Sequence, residues 1–286
     1  MDTRKQFEVL QWASLFLEKN KREPRVAELL LQHHLNISRN EFYMRMRDEV
    51  PAEIVQSFQT DIERHAQTGV PIQHIIGYET FYGREFLVNE HVLIPRPETE
   101  ELVQQVIQQS KNMPNKSQTI VDIGTGSGAI AITLAQELPE TTVFATDISE
   151  QALAVAQHNA TQLQANITFL QGDFLQPFIS NQKKADIIVS NPPYIAKAEE
   201  VTLTDTVKKF DPELALFADD NGLAAYKKII TQLPQAIDSG ATVAFEIGHE
   251  QGEAVSSLLN NQFPTSNINV IQDINGKDRM VVATGL

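Results

Sequence analysis

The chain has 286 residues, 42% of them hydrophobic, which suits one large domain or a large one joined to a small one. It holds 23 basic and 37 acidic residues, for a net charge of −14, and no cysteine, so disulfides, thiolate metal sites and a cysteine nucleophile are excluded. It has no apolar run long enough for a membrane helix and no signal-peptide pattern in "MDTRKQFEVLQWASLFLEKN", so no membrane association is expected and the expected location is the cytoplasm.

Residues 1–75 read as a small helical bundle. In "PAEIVQSFQTDIERHAQTG", Ile54, Phe58, Ile62 and Ala66 recur four apart on one face, with Pro51 at the start and Gly69 and Pro71 as the stop. A shorter helix in "REPRVAELLLQHHLN" is expected to turn Val26, Leu29 and Leu30 inward, and another to turn Trp12, Leu15 and Phe16 inward. His33 and His34 point about 100° apart on a helix and do not share a metal comfortably. No metal site is expected. Residues 76–97 change character: "GYETFYGREFLVNEHVLIPRP" is aromatic and β-branched, and reads as a hairpin linker turning at Gly83.

Residues 98–286 form the third region. Strand-like runs ("TIVDIG", "TTVFATD", "ITFLQGD", "ADIIVSN", "TVAFEIG") alternate with helical ones. This pattern predicts an α/β fold, a parallel sheet covered by helices on both faces. "NINVIQDINGKDRMVVATG" has no helix between its two strand-like runs, so a hairpin there places one antiparallel strand in the sheet. Nearly all of the acid excess lies beyond residue 75, which argues against a dedicated nucleic-acid binder and suits a basic protein partner.

"IVDIGTGSGAIAI" is a strand, a glycine loop (Gly124, Thr125, Gly126, Ser127, Gly128) and a helix. Such a loop lets a ligand approach the backbone, and Asp147 at the end of the second strand can accept hydrogen bonds from ribose hydroxyls. The string also satisfies G-x-G-x-x-A, so a nicotinamide dinucleotide and S-adenosylmethionine both fit at this point. Asp173 ends the third strand and can accept from an adenine amino group, with Phe174 as a wall. With Asp122 just before the end of the first strand, acids stand at or near the ends of the first three strands, which suits a sulfonium better than a pyrophosphate.

Asn191-Pro192-Pro193-Tyr194 follows the fourth strand. The Asn191 side-chain oxygen and the Pro192 carbonyl can accept both N–H groups of a planar NH2, while Pro192 and Pro193 supply no competing donor. Holding those N–H groups orients the nitrogen lone pair and favours the charge that develops there during attack on a methyl carbon. Tyr194 is expected to wall the substrate. The same corner fits an amide or an adenine NH2.

The sequence resembles the bacterial peptide chain release factor glutamine methyltransferases. The resemblance rests on "FYGREFLVNEHVLIPRPETEELV", "VDIGTGSGAIAI", "ATDIS", "GDFL", "NPPYI", "FDPELALFADDNGLAAYKKI", "FEIGHEQG" and "DINGKDRMV". It implies a Rossmann-like, seven-stranded methyltransferase sheet preceded by a small helical domain for substrate recognition. The implied activity is methyl transfer from S-adenosylmethionine to the amide nitrogen of the glutamine in the Gly-Gly-Gln motif of release factors. By the same resemblance the cofactor loop falls on Gly124 to Gly128, the ribose acid on Asp147, the adenine side on Asp173 and Phe174, and the glutamine clamp on Asn191 to Tyr194. Asn191 also borders the cofactor. "PRPETE" closes the pocket, with Arg96 and Glu98 as its residues of interest; Glu98 stands where Asp is common, and Asp211 where Glu is common.

Three alternatives stand beside this reading. A ribosomal-protein glutamine methyltransferase shares Asn-Pro-Pro-Tyr but tends to carry Pro-Arg-Ser-Pro in place of "PRPETE". An adenine-amino DNA methyltransferase needs a basic cleft or target-recognition domain, which the acidic C-terminal part does not offer. A non-catalytic adaptor would not need the intact corner. The expected partners are release factors, without direct nucleic-acid contact, and the expected state is a monomer. His249 is expected at a helix start, and Lys227 and Lys228 on a solvated face.

Overall fold

A computed structural model describes residues 4–115 and 117–286. Its contacts divide the chain into two units. One holds the residues up to Gly77 together with Thr204–Phe210; the other holds Tyr78–Leu203 and Asp211–Leu286.

The first unit is helical. Gln6–Lys19, Arg25–Leu35 and Ala52–Thr68 are its longer described helices. They bury Val9, Ala13 and Leu17 from the first, Ala27, Leu30 and Leu31 from the second, and Phe58 and Ile62 from the third. Each of the larger side chains among them contributes about 1.5–3 kcal/mol by leaving water. The long helix ends on Gly69 in the left-handed region (φ 76°), a conformation that favours glycine. Two expected inward residues face out instead: Leu15 is 58% exposed and Leu29 is 41% exposed. At roughly 100° per residue, Leu15 lies about 200° from both Ala13 and Leu17, so burying those two turns it to solvent. Leu29 stands in the same relation to Ala27 and Leu31. His34 pairs with Asp61 (Nε2–Oδ2 2.9 Å), a satisfied contact within the unit.

The second unit begins with the hairpin Tyr78–Phe81 and Arg84–Leu87. Tyr82 and Gly83 both have positive φ (51° and 73°), the geometry of a two-residue turn matched to strand twist. Its main sheet has seven strands, numbered here along the chain: β1 Thr119–Ile123, β2 Thr142–Asp147, β3 Ile167–Gln171, β4 Ala185–Ser190, β5 Ile237–Glu246, β6 Asn267–Gln272 and β7 Asp278–Thr284. The spatial order is β6-β7-β5-β4-β1-β2-β3. β7 pairs antiparallel with both β5 and β6, and the other pairings are parallel. The expected seven-stranded α/β sheet with one antiparallel strand is what forms.

Side chains alternate across the sheet as strand geometry demands. Ile120, Ile187 and Val189 join one apolar cluster with Val103, Val106, Ile130 and Leu134. Val121, Ile123 and Ile188 join a second, on the other face, with Tyr226, Ile229, Leu233 and Leu259. The central strands are therefore buried on both faces, and their carboxyl edge is open to a ligand. β1 lies between β2 and β4, so the strand order reverses there. Ligands of open α/β sheets bind at such a reversal.

Candidate active site

A cavity of about 380 Å³ opens at that reversal, within the second unit. Gly124 to Ser127, Asp147, Asp173, Phe174, Asn191, Pro193 and Arg96 all line it. The volume falls in the range of small-molecule sites.

The floor is the glycine loop. Asp122, fully buried at the end of β1, accepts from the Thr125 hydroxyl (2.7 Å) and the Ala131 N–H (3.2 Å). It therefore ties the loop to the first turn of the following helix, Ala129–Glu137. Burial raises its pKa to about 7, against the lowering effect of those two bonds. Gly126 has φ 54°, and a Cβ built there would meet nothing within 4 Å. The space over the loop is open to a ligand lying on the main chain. Gly128 serves another purpose. It lies outside the cavity lining, at φ 82°, and a Cβ there would stand 2.9 Å from Ile132 Cδ1 and 3.2 Å from Ala156 Cβ. Its lack of a side chain lets two helices approach.

Asp147 closes one side. Its Oδ2 accepts from Gly126 N–H and its Oδ1 from Ser149 N–H, each at 2.9 Å. Burial raises its pKa and these main-chain bonds oppose the rise. Each oxygen keeps a lone pair for a further donor. Asp173 and Phe174 follow the neighbouring strand β3, where Gly172 N–H donates to the Asp147 carbonyl (2.9 Å), and Phe174 has φ 50°. Lys228 pairs with Asp173 and sits 5.7 Å above the Phe174 ring. Lys228 also lines the cavity, so it does more than face solvent.

The fourth-strand corner differs in construction. Asn191 Nδ2 donates to Thr99 Oγ1 (3.3 Å), and Thr99 Oγ1 donates to Glu246 Oε2 (2.7 Å). Among the described contacts this leaves Asn191 Oδ1 as the free end of an amide that borders the cavity. Thr99 comes from the first turn of the helix Pro97–Asn112, and Glu246 is the last residue of β5. Glu246 is 2% exposed, and burial raises its pKa to about 7, opposed chiefly by the Thr99 hydrogen bond.

Pro192 is buried and does not line the cavity. Tyr194 also lies outside the lining: its ring packs at the edge of the cluster that holds Tyr226 and Phe245, and burial pushes its hydroxyl up to about 12. The Tyr194 carbonyl accepts from Gln251 Nε2 (2.9 Å).

Arg96 precedes the Pro97–Asn112 helix and pairs with the buried Asp211 (2.9 Å). It thereby links the "PRPETE" segment to the Pro212–Phe217 wall of the cavity. Glu98 is half-buried and off the lining; its charge acts on Glu246. His249 is exposed, beside Glu250 (3.6 Å). Among the described residues no cluster of His, Cys, Asp or Glu could hold a metal, and no helix is long and apolar enough to cross a membrane.

Sequence reasoning assigned no role to Thr99 or Glu246. A carboxylate inside the apolar run "TVAFEIG" was the available signal, because an ionisable side chain on a buried strand needs a partner.

Residues 8–77 match the family model described as PrmC N-terminal domain, and residues 99–210 match Methyltransferase small domain. The release factor glutamine methyltransferase of Bacillus cereus is 46% identical over 278 residues, covering 97% of this chain and 98% of that protein. The one of Bacillus subtilis is 45% identical over 279 residues, covering 97% and 96%. The solved structure of a methyltransferase from Pyrococcus furiosus has a TM-score of 0.53 at 13% identity, covering 80% of this chain and 98% of that one, and shows a shared fold. With identity of this order across nearly its whole length, the chain belongs to the release factor glutamine methyltransferase family.

Proposed function

We propose that the protein transfers a methyl group from S-adenosylmethionine to the side-chain amide nitrogen of a glutamine, the one in the Gly-Gly-Gln motif of peptide chain release factors. Membership of the family supports the reaction. The observation that carries the site assignment is the convergence of the open glycine loop, Asp147 and Asn191 on one cavity.

The residues present fit the cofactor. The bare main chain from Gly124 to Ser127 admits close approach, Asp147 offers oxygen lone pairs to the ribose, and Asp173 with Phe174 suits an adenine. When bound, S-adenosylmethionine supplies an electrophilic methyl group on a sulfonium. We assign one N–H group of the glutamine amide to Asn191 Oδ1, which borders the cavity, and the other to the Pro192 carbonyl, which belongs to a buried residue off the cavity lining. This grip orients the nitrogen lone pair toward the methyl carbon. With the cofactor held by the glycine loop and Asp147, the methyl group it would supply would pass to that nitrogen, which would then release its proton to water. Positioning of this kind contributes up to about 7–11 kcal/mol when the reacting atoms are aligned. Arg96, held by Asp211, closes the cavity wall, and Pro193 and Tyr194 stiffen the corner.

The proposal extends to a monomer acting in the cytoplasm, where translation takes place, with the N-terminal unit recognising the release factor. The acidic C-terminal part supports a protein substrate without direct nucleic-acid contact. Labelled S-adenosylmethionine offered with purified release factor, ribosomal protein and DNA, side by side, tests the reading. Label is expected on the release factor glutamine alone. Label on the ribosomal protein or the DNA in its place overturns the substrate assignment.

A further inference from the structure

We propose that Glu246 and Thr99 form a positioning chain that holds the Asn191 amide with its oxygen toward the acceptor glutamine. This rests on the reading of Asn191 as the residue that receives the acceptor amide.

An asparagine amide has two nearly isosteric ends, one accepting and one donating. Only the oxygen can receive the N–H of another amide. If the Asn191 side chain turned over, its NH2 would meet the NH2 of the substrate, donor against donor. Something must choose between the two orientations, and the hydrogen bonds around Asn191 do so. Its Nδ2 donates to Thr99 Oγ1 at 3.3 Å, the Thr99 hydroxyl gives its single proton to Glu246 Oε2 at 2.7 Å, and the Asn191 side chain also interacts directly with the Glu246 carboxylate. With its proton committed to the carboxylate, the Thr99 oxygen can only accept from Asn191. A carboxylate is the one terminus that accepts and never donates, so the direction of the whole chain is set from Glu246.

Both inner members are buried, Thr99 at 5% and Glu246 at 2% exposed, so water does not compete for these bonds. Neighbouring elements face Glu246 with further charged or titratable groups: Arg279 from β7, Glu98 from the Pro97–Asn112 helix, and Tyr194 from the corner after β4. The Tyr226 hydroxyl donates to the Glu246 backbone carbonyl (2.8 Å) and fixes the end of the strand from the Ala224–Ala236 helix.

The polarity of the chain has a chemical consequence. Protonated, Glu246 would donate to Thr99, Thr99 would donate to Asn191, and the amide would turn its NH2 toward the substrate. Burial brings Glu246 to about 7. Reversal of the chain on protonation of Glu246 would reorient Asn191, so its effect would fall on the turnover step. The proposed cofactor contacts lie mainly at the glycine loop, Asp147 and Asp173.

The test measures kcat against pH at saturating cofactor and release factor, with the dissociation constant for S-adenosylmethionine measured on the same preparations. Thr99→Val replaces the hydroxyl by a methyl of the same shape. We expect it to lower kcat about tenfold to a hundredfold through misorientation of the reacting group, with cofactor affinity unchanged within about twofold. Thr99→Ser restores the hydroxyl and recovers most of that loss. Glu246→Gln lowers kcat and removes the acid limb of its pH profile, because the group that titrates is gone. Asn191→Ala in the same assay separates the two levels of the argument. If it keeps the parent kcat, the reading of Asn191 as the glutamine clamp fails. If it loses transfer while Thr99→Val keeps the parent kcat and acid limb, the clamp stands and the positioning chain is overturned. Equal losses in Thr99→Val and Thr99→Ser also overturn it, since packing and not the hydroxyl would then be responsible.

Discussion

The two ends of the cavity are built differently. The donor end is local: Asp122 braces Thr125 three residues away, and Asp147 braces Gly126 over 21 residues. The acceptor end is assembled from distant pieces: Asn191 is held by Thr99 across 92 residues, and Thr99 by Glu246 across 147. A cofactor that lies on main chain can be held by a strand, a loop and the next strand. A substrate amide needs one side-chain oxygen at one angle, and that angle is set by elements that meet only in the folded sheet.

The largest effect is expected at the acceptor end. Asn191→Ala removes a positioned acceptor and should lower transfer about 10²–10³-fold, with cofactor binding nearly intact. Single-turnover rates and calorimetry on one preparation measure both, and equal rates for variant and parent would erase the division between the two ends. Next comes Gly128→Ala. A methyl there enters the left-handed region and meets Ile132 and Ala156, so a loss of about 2–3 kcal/mol of stability is expected in denaturant unfolding. If cofactor affinity falls while stability holds, Gly128 belongs to the ligand surface and not to the packing beneath it.

Asp147→Ala should weaken S-adenosylmethionine binding by about 1–3 kcal/mol, through lost hydrogen bonds to charged oxygens. Part of this loss comes from the loop, because Gly126 and Ser149 lose their acceptor as well. Unchanged affinity by calorimetry would remove Asp147 from the donor end.

Asp122 bears on the dependence of stability on pH. Its pKa is raised from 3.8 to about 7 in the folded protein, first by burial. A raised acid contributes stability that is fully present below its unfolded pKa and lost as pH rises through the folded one. The parent should therefore lose stability between about pH 4 and pH 7, with Glu246 adding in the same sense. Asp122→Asn should flatten that slope. Melting curves at several pH values read it, and a slope identical to the parent would mean that Asp122 stays ionised throughout.

The sequence by itself determined the alternation of strands and helices, the glycine loop with Asp147 beyond it, and the corner at Asn191. These are written in contiguous stretches, where periodicity, glycine and proline act on their own neighbours. It did not determine which way Leu15 and Leu29 face, because two adjacent apolar stripes on a short helix compete and only the packed partner selects one. Nor did it reveal the Thr99–Glu246 contact or the Arg96–Asp211 pair, whose members lie 147 and 115 residues apart. "PRPETE" displays its charges openly, while the hydroxyl of Thr99 gains its meaning only when β5 brings a buried carboxylate within 2.7 Å. That proximity is a property of the packing of the Pro97–Asn112 helix against β5, and of burial, which leaves the carboxylate no water to bond.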